Sequence, residues 1–201
     1  MDADRWKERG CLENVKASDL EGAHIIPYAY GSWRWTQGPP RSVVDVWTVL
    51  YQCFPEVRRA GMNVENIYHP SNGMMLLPDL HKQFGKFLMA FEATDVRHKY
   101  KLKLYRRFRS YARNALPEDG TVTFRKAGGA ENIPLPNPVL LDCHFRVAEI
   151  LNASGMNEFI DRKIREWEDL KDGPDAAQLR PDGSTDVARY LRAGLWDSVA
   201  V

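Results

Sequence analysis

The sequence has few cysteines, no long apolar run and little net charge. Its 201 residues include three cysteines, Cys11, Cys53 and Cys143, and no CxxC pair. Such a set excludes a disulfide framework and a zinc knuckle. No stretch approaches the ~20 apolar residues of a membrane helix, and the charged start MDADRWKERG lacks the apolar part of a secretory signal. These absences predict an intracellular protein, cytoplasmic or nuclear.

The formal net charge of +1 is low for a protein whose main partner is a polyanion, because phosphate backbones are bound largely by Lys and Arg. The charges are unevenly placed, however. Residues 96–117 contain no acidic residue and eight Lys or Arg, whereas residues 118–201 contain 15 acidic and 10 basic residues. The sequence therefore excludes a wholly basic domain, but it allows one basic patch within residues 96–117.

Local patterns predict an α+β protein. Apolar residues at helical spacing, such as Val43, Val46, Trp47 and Leu50, predict a helix that closes at Gly61. Lysines alternate with apolar residues in YKLKLYR, which is typical of a strand. The predicted strands are a run ending at Pro27, MMLL at 74–77, and residues 87–92, 99–105 and 121–125; the predicted helices are 41–60, 78–86, 137–152, 157–171 and 184–195.

Three polar residues in these segments suggest chemistry: His24 in AHIIP, Asn72 in an Asn-Gly turn, and His81 in LPDLHKQF. A histidine at a strand end can take a proton from water, while a facing helix histidine can hold a cation that neutralises a phosphate. An asparagine between them can bond the first loop and fix the imidazole. Together they would suffice for phosphodiester hydrolysis.

This ordered set resembles the HNH endonucleases of the ββα-metal group, whose motif runs [A/D/H]-H-I-x-P, N-G-x-x-L and L-H-x-x-F. The version here, AHIIPY and SNGMMLLPDLHKQFGKFLMAF, is similar to the branch common in fungal proteins. LPNPVLLDCHFRVAEILNASGMNEFI and DGSTDVARYL are similar to the C-terminal region of those proteins. The resemblance covers roughly residues 11–195.

The resemblance implies metal-dependent hydrolysis of DNA with His24 as general base, Asn72 as the orienting residue and His81 as a ligand of Mg, Mn, Ni or Zn. Two positions depart from the family pattern. Ala23 stands where many members have Asp or His, and Gly85 stands four residues after His81 where Asp or His is frequent. Cys11 matches a position that often holds cysteine, but the usual Thr-Gly after it is absent.

The implied fold is one HNH-nuclease-like domain over residues 1–201. It would comprise a ββα-metal finger at about 20–87 with a helical insertion, a basic strand region at 88–113 and C-terminal helices at 137–196.

Several residues are candidates for binding a substrate. Aromatic side chains after the histidine strand could stack on a base or line a small-molecule pocket, and basic side chains of 97–113 could follow a phosphate backbone. These candidates are Tyr28, Trp33, Trp35, Lys101, Lys103 and Arg106. The lysines could equally protect an edge strand from pairing.

Two further functions remain open. The finger could serve a fungal biosynthetic enzyme of isomerase, cyclase or lyase type, in which His24 moves protons on a small molecule without metal. It could also be an inactive nucleic-acid-binding or protein-binding module. His144 lies on an apolar helix face and is interpreted as a core histidine; His69 and His98 are expected at the surface.

Overall fold

The computed structural model describes residues 19–31, 41–126 and 128–172. Helices and two small antiparallel sheets make an α+β architecture, as predicted. The strands are β1 (Glu21–His24), β2 (Gly73–Leu76), β3 (Met89–Ala93), β4 (Lys99–Leu104) and β5 (Thr121–Thr123). The helices are α1 (Arg41–Cys53), α2 (Pro55–Arg59), α3 (Pro78–Gly85), α4 (Pro138–Ala153) and α5 (Met156–Asp172), with short 3₁₀ turns between several of them.

The first sheet consists of β1 and β2, which pair in antiparallel register with Glu21 opposite Leu76 and His24 opposite Gly73. Helices α1 and α2 lie in the chain between these strands, so the predicted helical insertion is present. Helix α3 begins at Pro78, two residues after β2, and contacts β1. The first turn of a helix tolerates proline because its N–H needs no helical partner. Two strands and a helix thus meet where His24 lies.

The prediction of one continuous helix over 41–60 is wrong. Phe54 leaves the helical conformation, with φ −131° and ψ 69°, and separates α1 from α2. The next residue, Pro55, disfavours a helical conformation in the residue before it and donates no backbone hydrogen bond. The predicted close at Gly61 is confirmed, since Gly61 has φ +76°, a conformation that favours glycine.

The second sheet has the order β3-β4-β5, so β4 is its central strand. The predicted alternation is confirmed: Tyr100 is buried, whereas Lys101 and Lys103 are exposed. The interpretation of these lysines as guards of an edge strand is wrong, because Lys101 already lies between Glu92 of β3 and Thr121 of β5.

The core connects both sheets. Helix α4 packs on β3, and α3 contacts both β1 and β3. The largest fully buried side chains come from α2, α3, β3, α4 and the segment before β2: Phe84, Ile67, Met89, Leu140, Leu141, Val57 and Asn72. Asn72 alone among them is polar.

No helix in the described parts of the chain has the length and apolarity needed to cross a membrane. The predicted helix at 184–195 lies outside the described residues.

Candidate functional site

His24 ends β1 and is half-buried between two exposed tyrosines. The centroid of its ring is 5.9 Å from that of Tyr28 and 5.7 Å from that of Tyr68, which meets it edge-on. Burial, and then the charge of His81, lower the pKa of His24 below its ordinary value. The imidazole is therefore neutral at pH 7, the form that accepts a proton.

Asn72 holds the chain that follows His24. Its side chain is fully buried and makes three hydrogen bonds to backbone: Oδ1 accepts from the Ile26 N–H at 2.8 Å, and Nδ2 donates to the carbonyls of Ile26 and Ile67 at 3.0 and 2.9 Å. The Asn72 carbonyl also accepts from the Ile25 N–H at 2.9 Å. These are the predicted bonds to the first loop. They fix the path of the chain where it leaves β1, directly after His24.

His81 lies on α3 and meets a carboxylate of β1. Its Nδ1 is 2.8 Å from Oε2 of Glu21, and both side chains are partly exposed. The carboxylate accepts from Nδ1–H, so Nε2 is the ring nitrogen that could bind a cation whenever the ring is deprotonated. A carboxylate often orients a metal-binding histidine in this way. The Glu21–His81 contact therefore leaves Nε2 as the ring nitrogen not engaged by Glu21.

The two positions that depart from the family motif add no ligand beside this nitrogen. Residues 21 and 23 share a strand face, so the position of Ala23 lies on the same side of β1 as Glu21, but it offers only a methyl group, which is buried. Gly85 ends α3 with open space where a side chain would be.

The described donor set does not fit a resident metal ion. Mg²⁺ prefers several oxygen ligands, and zinc sites usually take three or four protein ligands. In residues 19–31, 41–126 and 128–172, no group of three or more His, Cys, Asp and Glu side chains could hold a metal ion. One ring nitrogen of His81 falls short of either set.

The predicted substrate-binding residues are not all in one place. Tyr28 lies against His24, whereas Trp33 and Trp35 are outside the described residues. The basic candidates belong to the second sheet: Lys101 and Lys103 lie on β4, and Arg106 follows it. Lys103 also pairs with Glu149 at 3.6 Å, which offsets its charge.

Sequence reasoning gave Tyr68 no role. It lies in the segment between the helical insertion and Asn72, and it reaches His24 from a distance of 44 positions in the chain, so no local pattern indicates it. Glu21 carries a weak signal, since it is three residues before His24 in the strand. His69 is exposed, as predicted, and its Nδ1 accepts from the Ser71 N–H, so it caps a turn.

Comparison with protein families gives a match over the segment that contains this site. Residues 9–92 match the family model described as HNH endonuclease. The matched segment contains His24, Asn72 and His81, so the predicted resemblance is confirmed over residues 9–92. The searches among curated proteins and among solved structures each gave no match.

Proposed function

We propose that this protein is a nuclease that hydrolyses phosphodiester bonds of DNA, with His24 as the general base. The observation that carries the proposal is the environment of His24: a half-buried imidazole of lowered pKa at the end of a strand whose direction is fixed by buried Asn72. The HNH family match over residues 9–92 supports the same class of reaction.

The proposed step is a proton transfer coupled to attack on phosphorus. A water O–H gives its proton to the free ring nitrogen of His24 while the water oxygen forms a bond to phosphorus. The bond from phosphorus to the leaving sugar oxygen breaks, and that oxygen takes a proton from solvent. A positioned base of this kind contributes about 10²–10⁴-fold to a rate.

The tyrosines beside His24 support a nucleic-acid substrate. Tyr28 and Tyr68 are 53% and 62% exposed and approach the imidazole from two directions. Exposed aromatic rings stack on nucleobases with little dependence on sequence. A nucleotide stacked on one of these rings would place its phosphate near His24.

Cleavage of supercoiled plasmid DNA by the purified full chain tests the proposal. Reactions contain Mg²⁺, Mn²⁺, Ni²⁺ or Zn²⁺, or EDTA alone, and single-stranded RNA serves as a second substrate. We expect nicking of DNA that falls by about 10²-fold or more in His24→Ala. The series with and without metal shows whether a cation bound with substrate is needed.

A matched control is His98→Asn, which removes an imidazole from the hairpin between β3 and β4. His98 has φ +60°, a conformation that asparagine tolerates. This variant should cut DNA at the wild-type rate. The proposal fails if no condition gives cleavage above the His24→Ala background, or if His98→Asn loses as much activity as His24→Ala.

A further inference from the structure

Residues 106–113, here called the arginine segment, read RRFRSYAR and lie outside the part of the chain that matches the HNH endonuclease model. The segment contains four arginines and no acidic residue, whereas the basic residues of β4 are all lysines. Arginine suits phosphate better than lysine does, because its planar guanidinium can donate two parallel hydrogen bonds. The arginine segment is therefore a candidate for binding phosphate groups.

Two buried apolar residues hold the arginine segment against the core. Phe108 and Ala112 are 6% and 2% exposed, and the 3₁₀ turn Ser110–Ala115 contacts α3. The polar side chains beside these two anchors lie at the surface: Arg106, Arg109, Ser110, Tyr111 and Arg113 are exposed. Side chains of these types supply most contacts to the phosphates of DNA. The segment thus presents a row of phosphate donors on an anchored backbone.

The carboxylates near the arginine segment leave it with a net positive charge. Arg107 pairs with Asp161 of α5. Lys86 and Arg165 contact the same carboxylate, at 3.3 and 3.0 Å, so one acidic group faces three basic ones. The other three arginines of the segment form no ion pair within the described parts of the chain. A negatively charged partner would therefore meet cations that no carboxylate neutralises.

The arginine segment and β1 lie on opposite sides of α3. The Arg109 N–H donates to Oε1 of buried Gln83 at 3.1 Å. On the same helix, Nδ1 of His81 is 2.8 Å from Oε2 of Glu21 on β1. Residues 81 and 83 point about 200° apart around a helix of 3.6 residues per turn, so the width of α3, ~10 Å, separates the segment from His81. A nucleic acid laid over α3 can reach both sides.

The exposed face of α3 between these two sides is open to a phosphate backbone. Asp79, Lys82 and Lys86 are exposed on it, so two basic groups stand against one acidic group. Gly85 has open space where a side chain would be. A glycine lets another backbone approach closely. Neither bulk nor net charge therefore separates the arginine segment from the candidate site.

We propose that the arginine segment binds the backbone of double-stranded DNA beside the bond to be cut, with Arg109 and Arg113 each on a phosphate. This inference rests on the proposed function, because the DNA held there is the proposed substrate. A surface for single strands usually offers several aromatic rings on which successive bases stack. In the arginine segment Tyr111 is the one exposed ring, so its donors fit a duplex backbone better.

Binding of a fluorescent DNA duplex of about 20 base pairs, measured by anisotropy in EDTA, tests the proposal without cleavage. The full chain is titrated at several salt concentrations, and the slope of log affinity against log salt concentration reports about 0.9 per phosphate contact. In the double variant Arg109→Gln and Arg113→Gln, we expect the slope to become shallower by about 2. The affinity near 0.1 M salt should fall about 50-fold.

The matched control is Arg97→Gln with Arg125→Gln, which removes two exposed arginines at the other end of β4. Arg97 lies in the hairpin between β3 and β4. The Phe124 N–H donates to the His98 carbonyl at 3.0 Å, so Arg125 lies by the same hairpin. Because the net charge of the chain falls by the same amount, this variant shows what general electrostatic attraction contributes. It should keep the slope of the unmodified chain.

A second variant separates lost contacts from a disturbed fold. Arg113 lies over the Phe108 ring at 5.9 Å, so its replacement by glutamine also removes a packing contact. Arg109→Lys with Arg113→Lys keeps both charges and should keep the slope. In plasmid nicking, Arg109→Gln with Arg113→Gln should raise KM and leave kcat unchanged, because these arginines hold DNA away from the reacting bond.

The outcomes distinguish this inference from the proposed function. If no variant or unmodified chain nicks DNA but the slope changes as expected, the nuclease activity fails and the binding surface stands. The inference is overturned if the duplex does not bind, or if the slope is the same in Arg109→Gln with Arg113→Gln as in the unmodified chain. It is also overturned if the hairpin control changes the slope equally, or if single-stranded RNA binds more tightly than the duplex through the same arginines.

Discussion

His24 and His144 are two histidines in which burial lowers the pKa, yet their surroundings differ. His24 is half-buried, beside exposed tyrosines and a second histidine. His144 lies in the core, stacked on Phe84 with ring centroids 3.8 Å apart. The comparison teaches that a lowered pKa does not define a role by itself. What matters is whether water and substrate reach the ring, and this separates a proposed base from a core histidine.

The largest effect on the His24 region should come from Asn72→Ala. The change leaves the Ile26 N–H and the carbonyls of Ile26 and Ile67 without their side-chain partner. We expect a loss of about 3 kcal/mol in the free energy of unfolding, because buried polar groups become unsatisfied. Urea unfolding measures it.

The matched control for that change is Asn63→Ala. Asn63 caps an exposed turn through bonds to the Glu65 and Asn66 N–H groups, and its removal should cost only about 1 kcal/mol. If the two variants were equally destabilised, Asn72 would be no more than an ordinary turn cap.

The next largest effect should be a loss of unfolding free energy at acid pH that originates at His144. The unfolded imidazole has its ordinary pKa near 6.5, and the folded one has about 4. Between these values the unfolded chain binds a proton that the folded chain does not, so stability is fully present above about 6.5 and falls as the pH drops towards 4. The contribution is roughly 3 kcal/mol.

Urea unfolding of wild type and His144→Phe across this pH range isolates that contribution from the carboxylates that also titrate. The variant should lose less stability than wild type by roughly the same 3 kcal/mol. Parallel pH curves for the two proteins would show that solvent reaches the His144 ring.

A smaller effect is expected from Glu21→Gln. The Glu21–His81 contact is partly exposed, so the free energy of unfolding should change by less than about 1 kcal/mol. If a cation bound with the substrate contacts Nε2 of His81, the cleavage rate should nevertheless fall about tenfold, because an amide orients the imidazole less firmly than a carboxylate does. Plasmid nicking and thermal unfolding measure the two quantities.

Glu118→Gln, at an exposed position after the 3₁₀ turn Ser110–Ala115, provides the control for Glu21→Gln. It should leave both quantities unchanged. An unaltered nicking rate in Glu21→Gln would mean that the carboxylate does not position His81 for the reaction.

The smallest effect should be a rise in the pKa of His24 in His81→Asn. Loss of the neighbouring charge removes one of the two causes that lower this pKa, and burial remains as the larger one. The ring-proton signal of His24, followed by NMR against pH, gives the value. Lys82→Gln removes an exposed charge from the same helix and should leave the pKa of His24 unchanged. If the pKa of His24 is also unchanged in His81→Asn, the two imidazoles do not interact electrostatically.

Much of the fold could be predicted because its elements have local signatures. Alternation revealed β4, and Pro78 and the Asn-Gly turn placed α3 and β2. The central position of β4 could not be predicted, since pairing with β5 depends on contacts outside the strand. The break at Phe54 was missed although Pro55 is a local signal, because the apolar spacing continues through it to Val57.

The candidate site was predictable only as far as the ordered motif extends. His24, Asn72 and His81 stand in that motif, whereas the partners of His81 and His144 come from tertiary structure. Glu21 meets His81 across 60 positions of the chain, and Phe84 lies equally far from His144. No periodicity indicates such pairs, and their roles in a reaction remain predictions.

The hydrogen bond between Asn72 and Ile26 spans 46 residues of chain and has a consequence for folding kinetics. A loop of that length must close before the short β1–β2 pair gains any bond, and its closure entropy is offset only when the intervening helices are packed. We therefore expect the ends of β1 and β2 to form late on the folding pathway. The candidate site would then assemble only in molecules whose helical insertion has already folded.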